Sequence, residues 1–467
     1  MPDGKLPAGA RYDVVVVGAG VIGCAIARRF CLEGARVAVI ERARDILDGA
    51  SKANSAILHT GFDAPPGSLE ARCIRDGHDE YIDIRERLGL PLDRCGALVL
   101  SWTEAEEARL PALMERAREN EVLDVQLLSA AQIRKLEPNL NPTIRAGFRV
   151  AAESLIDPWS APHAYLLQAL LNGADLFRNC ALLGGTEDGG GWQLDTTRGR
   201  LRTHLVVNAA GLHGDQVDEA ILGRSEFKIR PVKGQFIVFD KTAARLARHI
   251  LLPVPTEKTK GIVVCRTIWG NLLVGPTAED QVDRETADLD GETLRMLHAK
   301  GTEILPALAQ EEISAIYAGL RPATEQKEYR ITPHPGRNWI TVGGIRSTGL
   351  SSALGTARHV FDLVQRMGHG FTTLPDPVWP RVPNLAEAFE RDWQRPGNAG
   401  VVCHCERVTR REIEDALSGP LAARSMAGLK RRTRATMGRC QGFYCSAALA
   451  EITRDRLGIP VVEPIDE

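Results

Sequence analysis

The chain has 467 residues, of which 44% are hydrophobic and 25% are charged. This length predicts two or three domains, and the composition is typical of a globular protein. The net charge of −2 argues against a chain that attracts nucleic acid through its overall charge. No secretory signal and no continuous apolar run of about 20 residues is visible, so we expect a cytoplasmic protein, at most peripherally bound to the inner face of the membrane.

The first predicted elements are a strand, a glycine-rich turn, a helix and a second strand. Val14 to Val17 form a continuous β-branched run, as a buried parallel strand requires. Gly18, Gly20 and Gly23 complete a G-x-G-x-x-G pattern, which permits a tight turn, close approach of a pyrophosphate and helix packing on the strand. Glu41 ends the second strand and can accept both hydroxyls of an adenosine ribose. The segment predicts dinucleotide binding; a βαβ unit without a nucleotide is the alternative.

The βα pattern does not continue as a regular series, because its next pieces are "LVVNAAG" and, much later, "WITVGGIRSTGL". We therefore predict an α/β fold whose Rossmann-like nucleotide-binding domain is assembled from three pieces, with an α+β substrate domain containing a β-sheet. Five prolines fall between 371 and 400, which suggests an extended linker. The predicted boundaries are 10–95, 151–217 and 317–370 for the nucleotide-binding domain, 96–150 and 218–316 for the substrate domain, 371–400 for the linker and 401–460 for a small, mainly helical module.

The order of these motifs resembles the D-amino-acid-oxidase-like, glycine oxidase-type family of FAD enzymes over about 10–370. Within it, bacterial glycerol-3-phosphate dehydrogenases and oxidases are most similar in "GASKANSAILHTGFDAPPGSLEAR" and "KGIVVCRTIWGNLLVGPTAED". L-2-hydroxyglutarate dehydrogenases share a similar Asn-Ser-x-x-x-His-x-Gly segment. The resemblance implies bound FAD and oxidation of a carbon that carries OH or NH.

Oxidation of an alcohol needs a base as well as a hydride acceptor. Histidine suits this task because its pKa lies near neutral pH, and the resemblance implies that His59 is the base. The alternative is a histidine that only hydrogen-bonds the cofactor or the backbone. Ser51 and Lys52 are expected to border the pyrophosphate and the ring, and Asn54 and Ser55 to make polar contacts near the flavin.

An anionic substrate needs a fixed cation. Arg321, in a Gly-Leu-Arg-Pro context, resembles the phosphate- or carboxylate-binding arginine of the family, and its guanidinium can grip an oxyanion with two hydrogen bonds. Lys260 matches a lysine of the family that faces the substrate. For each, the alternative is a solvated surface charge.

Further cofactor contacts are expected at the turn "VGGIRSTGL". Gly343, Gly344 and Gly349 allow the backbone close to the ring, and the positive end of the helix that starts near Leu350 would stabilise negative charge on the reduced flavin. Arg346 departs from the small or acidic residue more usual in the family, and contact with flavin, with substrate or with neither stays open. The remaining expected cofactor contacts are Arg42, Ala210 and Gly211.

The tail carries four closely spaced cysteines, Cys403, Cys405, Cys440 and Cys445. Zinc ribbons usually use paired C-x2-C knuckles, whereas four thiolates are the standard ligand set of a [2Fe–2S] cluster. The segment resembles the bacterioferritin-associated-ferredoxin-like domain over about 401–457, which implies that these cysteines hold such a cluster; zinc or an empty relic are the alternatives. Six basic residues and no acidic one lie between 416 and 450, and we interpret them as stabilising the cluster's charge rather than binding nucleic acid.

Together these features predict an FAD-dependent dehydrogenase that oxidises the CH–OH of glycerol 3-phosphate or a 2-hydroxy acid such as 2-hydroxyglutarate. Electrons would pass through the [2Fe–2S] centre to a quinone, a carrier protein or a partner subunit, and a homo- or hetero-oligomer is compatible with this. One alternative is CH–NH oxidation of an opine, hydroxyproline or a D-amino acid within a multi-subunit dehydrogenase. Another is a non-catalytic electron-transfer subunit.

Overall fold

The computed structural model describes Leu6 and residues 9–255 and 261–461. The strands are β1 (Arg11–Val17), β2 (Val37–Ile40), β3 (Ile57–Leu58), β4 (Leu92–Asp93), β5 (Ala97–Ser101), β6 (Val125–Ser129), β7 (Ala146–Val150), β8 (Ser154–Ile156), β9 (Asp175–Phe177), β10 (Leu182–Glu187), β11 (Trp192–Thr196), β12 (Gly199–Asn208), β13 (Ile229–Phe239), β14 (Ile250–Pro253), β15 (Val263–Arg266), β16 (Leu272–Gly275), β17 (Glu279–Asp280), β18 (Ile313–Thr324), β19 (Arg330–His334), β20 (Trp339–Gly343), β21 (Val401–Cys403) and β22 (Val408–Thr409).

The α-helices are α1 (Val21–Leu32), α2 (Leu69–Leu88), α3 (Glu104–Glu107), α4 (Leu110–Glu119), α5 (Ala130–Leu136), α6 (Ser160–Leu171), α7 (Gly214–Leu222), α8 (Gly291–Ile304), α9 (Gly349–Arg366), α10 (Arg410–Ala416), α11 (Met426–Thr433) and α12 (Ser446–Ile452). Short 3₁₀ helices occur at Ala50–Lys52, Gly211–His213, Lys241–Leu246, Pro306–Gln310 and Asp392–Gln394. Over the described ranges, no helix combines the length and the apolar character needed to cross a membrane.

The first sheet is built around β1, which pairs in parallel with β2 on one side and β12 on the other. Its order is β10-β11-β12-β1-β2-β9, and β20 joins in parallel beside β12 with β19 at its edge. Helices α1, α6 and α9 pack over this sheet in one apolar core. The strands on the β12 side of β1 therefore come from distant parts of the chain, as the sequence predicts.

The second sheet has the order β17-β13-β16-β15-β14-β5-β7-β6, with β18 paired to β13. Strand β18 belongs to this sheet as far as Thr324, so the chain leaves it beyond the boundary predicted at residue 317. This difference matters for Arg321, which lies on β18 opposite Val232 of β13 rather than on the nucleotide-binding sheet. A small sheet of β3, β8 and β4 also forms.

Residues 371–400 contain little regular structure, but they are held to both sheet regions. Leu374 N–H donates to Leu32 O at 2.9 Å, and Glu387 N–H donates to Ile268 O at 2.8 Å. Val382 is buried in the apolar core beside the first sheet. The segment predicted as a linker thus packs against the molecule along its length.

The C-terminal module has its own apolar core and docks on the nucleotide-binding region through a buried carboxylate. Asp45 is 1% exposed and accepts from Arg432 Nη2 at 2.8 Å and from Arg424 N–H at 2.8 Å. Arg431 Nη2 donates to Ile46 O at 2.9 Å. Several basic residues of the module therefore serve in docking, which adds a structural role to their predicted effect on the cluster.

The substitution Asp45→Asn is expected to lower the free energy of unfolding by about 3 kcal/mol, because it leaves a buried guanidinium without its countercharge. Burial alone would raise the pKa of Asp45, but Arg432 and the Arg424 N–H outweigh it and hold the pKa below its ordinary value. Because its pKa is lower in the folded than in the unfolded protein, ionised Asp45 stabilises the fold at pH values above the unfolded pKa of about 4. This stabilisation is lost as the pH falls through the folded-state pKa.

Urea denaturation of the two proteins at pH 7 and at pH 3 checks this expectation. The difference between them should be largest at pH 7 and should shrink at the lower pH. Asp48→Asn is the matched control, since Asp48 lies 3.4 Å from Arg431 and its side chain is 45% exposed. Equal effects of both substitutions at pH 7 would contradict the assignment of docking to Asp45.

Candidate functional site

A cavity of about 560 Å³ lies where the glycine-rich turns of the first sheet meet the second sheet. The predicted site residues that line it are Gly18, Gly20, Glu41, Arg42, Ser51, Lys52, Asn54, Ser55, Ala210, Gly211, Arg321, Gly343, Gly344, Arg346, Gly349 and Leu350. Gly23 and His59 are not among its lining residues. Lys260 falls outside the described residues. Residues predicted from several separate segments therefore converge on one cavity, while their individual roles stay predictions.

The turn between β1 and α1 requires its glycines. Gly18 has a φ of +100°, and a Cβ there would lie 2.7 Å from Ala209 O. A Cβ on Gly23 would lie 1.9 Å from Gly18 O, so this residue acts by letting α1 pack on the strand. Ser51 Oγ accepts from Val21 N–H at 3.0 Å, in the first turn of α1. The helix N-terminus and Ser51 thus stand together where a pyrophosphate would bind.

Glu41 is fixed at the end of β2 by the backbone on both sides. Its Oε2 accepts from Ala19 N–H at 2.7 Å and its Oε1 from Ala43 N–H at 2.8 Å. Burial raises the pKa of Glu41, against the effect of these two donors. Each oxygen keeps a further lone pair, so the carboxylate can still accept ribose hydroxyls.

His59 lies just beyond β3 and is held by a buried carboxylate that local sequence patterns do not reveal. His59 Nδ1 lies 2.9 Å from Glu153 Oε2. The backbone N–H of His59 donates to Ser351 Oγ at 2.8 Å, one residue from the cavity wall at Leu350. Glu153 is fully buried, and its Oε1 accepts from both the N–H and the Oγ of Thr60, at 2.7 and 2.9 Å. A carboxylate so placed keeps the proton on Nδ1 and leaves Nε2 able to accept one.

Arg321 is a half-buried residue that places an incompletely bonded guanidinium against the cavity. Its Nη2 donates to Thr277 O at 3.2 Å, whereas its buried Nη1 has no hydrogen-bond partner among the described residues. Burial, and secondarily the charge of Arg346, lower the pKa of Arg321 to about 10. Gly234 on the neighbouring strand makes room for this side chain, since a Cβ there would lie 2.7 Å from Nη2. Such a cation is suited to an anionic ligand.

The four cysteines of the module come together as two pairs. Cys405 lies beside Cys440 and Cys445 lies beside Cys403, close enough that the neighbouring thiol adds to burial in raising the pKa of Cys405 and of Cys445. Gly438 permits this approach, because a Cβ there would lie 2.2 Å from Cys405 Cβ. Backbone N–H groups, that of Tyr444 foremost, lower the pKa of Cys440, whereas burial raises the pKa of Cys445 to about 11.

The paired arrangement fits a two-iron cluster, in which each iron takes two protein ligands. Across 9–255 and 261–461, no group of three or more His, Cys, Asp or Glu side chains could hold a metal ion by itself. Cys403, Cys405, Cys440 and Cys445 stay the predicted ligands of a [2Fe–2S] centre. The backbone N–H groups near Cys440 would also donate hydrogen bonds to the cluster thiolates.

Aromatic side chains connect the cavity wall with the cluster module. Trp159 Nε1 donates to Lys52 O at 3.2 Å, and its ring stacks on that of Trp269 with centroids 5.1 Å apart and planes 17° apart. The guanidinium of Arg434 lies 4.1 Å from the centroid of the Trp269 ring. Arg434 then donates to Glu406, which follows the second cluster cysteine, at 2.7 Å. This junction joins all three parts of the molecule, and the sequence offered no spacing from which to predict it.

Comparison with known proteins agrees with this arrangement. The family model described as FAD dependent oxidoreductase matches residues 13–363, and the BFD-like [2Fe-2S] binding domain matches residues 401–454. A glycerol 3-phosphate dehydrogenase of Caloramator mitchellensis is 31% identical over 97% of this chain and 96% of its own length. One subunit of the anaerobic glycerol-3-phosphate dehydrogenase of Escherichia coli strain K12 is 24% identical over 94% of this chain and 87% of its own.

Among solved structures, the dithionite-reduced L-α-glycerophosphate oxidase of Mycoplasma pneumoniae, with FAD bound, is 28% identical. It covers 80% of this chain and 99% of its own, with a TM-score of 0.75. The predicted cofactors, FAD and a [2Fe–2S] cluster, are thereby confirmed at the level of the two domains. The chain is an oxidoreductase that belongs to the FAD dependent oxidoreductase family and carries a BFD-like [2Fe-2S] binding domain at residues 401–454.

Proposed function

We propose that this protein is a dehydrogenase that oxidises the CH–OH group of a small anion, glycerol 3-phosphate or a 2-hydroxy acid such as 2-hydroxyglutarate. The observation that carries the proposal is Arg321, a half-buried arginine in the cavity wall whose buried Nη1 has no partner in the described part of the chain. The relatives named for glycerol 3-phosphate support the same substrate class. An unsatisfied buried cation is costly, so a substrate oxyanion would relieve it.

His59 would take the proton of the substrate hydroxyl at Nε2. Glu153 orients the ring through Nδ1, and Thr60 in turn fixes Glu153. Bound FAD supplies the hydride acceptor. Arg321 holds the anionic end of the substrate, so that its CH–OH is presented between base and cofactor and the reaction gains from fixed orientation.

The module would receive electrons and pass them singly to an acceptor, since a [2Fe–2S] centre carries one electron at a time. The junction of Trp159 and Trp269 supports this route, because it links Lys52 of the cavity wall with Arg434 of the module. The acceptor would be a quinone, a carrier protein or a partner subunit. A quinone acceptor would bring the protein to the inner face of the membrane.

The experiment that tests this function mixes the FAD-loaded protein anaerobically with a panel of small metabolites and follows the loss of flavin absorbance. Glycerol 3-phosphate or a 2-hydroxy acid should bleach the flavin, glycerol should bleach it only weakly, and opines and D-amino acids should not bleach it. Bleaching by amines without bleaching by hydroxy compounds would replace this proposal with CH–NH oxidation. No bleaching by any of them would favour a non-catalytic electron-transfer role.

The substitution Cys440→Ser is expected to abolish the visible absorption of the cluster while FAD stays bound. Substrate should still reduce the flavin once, because the hydride step uses residues of the other sheets, whereas turnover with the natural acceptor should fail. Iron and acid-labile sulfide analysis, together with single- and multiple-turnover assays, measures these outcomes. Cys31→Ser is the matched control, since Cys31 is also a free cysteine but lies on α1, outside the module and outside the cavity wall. Undiminished multiple turnover in Cys440→Ser would make the cluster structural rather than a relay.

A further inference from the structure

The cavity wall carries more positive charge than its own carboxylates neutralise. Two of its arginines are paired: Arg42 Nη1 lies 2.8 Å from Glu285, and Arg284 Nη2 donates to Asp215 at 2.8 Å. Lys52 is exposed to solvent. Arg321 and Arg346 line the same cavity, and neither has a carboxylate partner among the described residues.

Arg346 is held in place by its backbone surroundings rather than by an opposite charge. It lies in the loop between β20 and α9, and its Nη2 donates to Lys327 O at 3.2 Å. The tight path of this loop is fixed at Gly344, which has a φ of +68° and where a Cβ would lie 2.6 Å from Glu328 O. The loop therefore holds a half-buried cation at the edge of the cavity.

The two guanidiniums act on each other. Arg346 contributes to lowering the pKa of Arg321, after the larger effect of burial. Two like charges facing one cavity repel, and no acidic side chain in the described wall of the cavity is bonded to either. A ligand with two negative charges would relieve this repulsion more than a ligand with one.

We propose that Arg321 and Arg346 together form a two-cation site that selects a dianionic phosphate ester over a carboxylate monoanion. Arg321 supplies the buried, partly unsatisfied donor, and Arg346 supplies the second charge at the cavity edge. This inference rests on the proposed oxidation of a small anion and narrows its substrate class to phosphate esters. Arg346 is thereby a specificity-determining residue.

Binding rather than turnover tests this site. Isothermal titration of the FAD-loaded protein and of its Arg346→Gln variant would use inorganic phosphate, sulfate and acetate as probes. At pH 7.5 the substitution should weaken the binding of phosphate and sulfate by about tenfold to hundredfold, as expected for loss of a charged hydrogen-bond donor. It should weaken the binding of acetate by less than about twofold. Inorganic phosphate is largely a dianion at pH 7.5 and a monoanion at pH 5, so in the unsubstituted protein its affinity should fall between these two pH values. Sulfate keeps both charges over this range and reports any titration of the protein itself.

Arg346→Lys is the conservative variant and should restore most of the phosphate affinity, because it keeps the charge. Equal weakening of acetate and phosphate in Arg346→Gln would overturn the proposal, and so would unchanged phosphate affinity. If the protein shows the expected preference for dianions but no hydroxy anion bleaches its flavin, the two-cation site is supported and the proposed reaction is contradicted. The two failures are therefore distinguishable.

Discussion

The substitution His59→Gln is expected to lower the rate of flavin reduction by substrate by about 10²–10⁴-fold, the range typical for loss of a general base. Glutamine fills a similar volume but cannot accept a proton from the hydroxyl at neutral pH. FAD should stay bound, because Gly18, Ser51 and Glu41 lie in the wall of the cavity apart from His59. Anaerobic stopped-flow measurement of flavin bleaching gives the rate directly. An unchanged rate would reduce His59 to a structural contact.

Glu153→Gln separates orientation of His59 from simple loss of the base. Thr60 donates to Glu153 Oε1 from both N–H and Oγ, so the amide oxygen of a glutamine would face Thr60 and its NH₂ group would face His59 Nδ1. Nδ1 must then accept, which puts the proton on Nε2 and blocks proton uptake there. The rate should fall although His59 is intact, as in catalytic triads whose histidine is held in the wrong tautomer. A Glu153→Gln rate equal to the unsubstituted one would show that the tautomer is not set by this contact.

Arg321→Leu is expected to lower kcat/KM for the anionic substrate by about 10²–10³-fold. Removing one partner of a buried charged pair costs about 2–5 kcal/mol, and each 1.4 kcal/mol corresponds to a factor of ten. Steady-state kinetics with glycerol 3-phosphate measures the loss, and the weak reaction of an uncharged analogue such as glycerol should not change. Equal losses for both substrates would instead indicate a general disturbance of the site.

Two companion substitutions refine that result. Gly234→Ala leaves Arg321 in the chain but places a Cβ 2.7 Å from its Nη2, so the guanidinium must shift and kcat/KM should fall in the same direction by less. Arg321→Lys keeps the charge and loses the planar fork, and it should give an intermediate loss.

The sequence was informative where chemistry depends on local spacing. The glycines after β1, Glu41 at the end of β2 and the four tail cysteines are fixed by strand, turn and ligand geometry, which a short stretch of chain carries. Glu153 could not be predicted in the same way, because its partners His59 and Thr60 lie more than ninety residues earlier in the chain. Asp45 is similar, since nothing in its own segment indicates that it pairs with Arg432.

The domain boundary near 317 illustrates a different limit. The strand β18 is one continuous run from Ile313 to Thr324, and its pairing with β13 continues past the point at which the sequence pattern changes. Edge pairing between strands is decided by two distant segments together, so a single segment's composition does not locate the crossover.

The discontinuous first sheet has a consequence for how this protein is made. Strands β1 and β2 and helix α1 leave the ribosome early, but Phe30 of α1 packs edge-on against Phe361 of α9, with ring centroids 5.3 Å apart. At about 5–20 residues per second, synthesis of the intervening chain takes on the order of tens of seconds. Through that interval the nascent chain exposes the part of the apolar face of α1 that α9 will later cover. A chain that stalls before Arg366 would be a substrate for chaperones rather than a partly active enzyme, and cofactor loading must be a late event in biosynthesis.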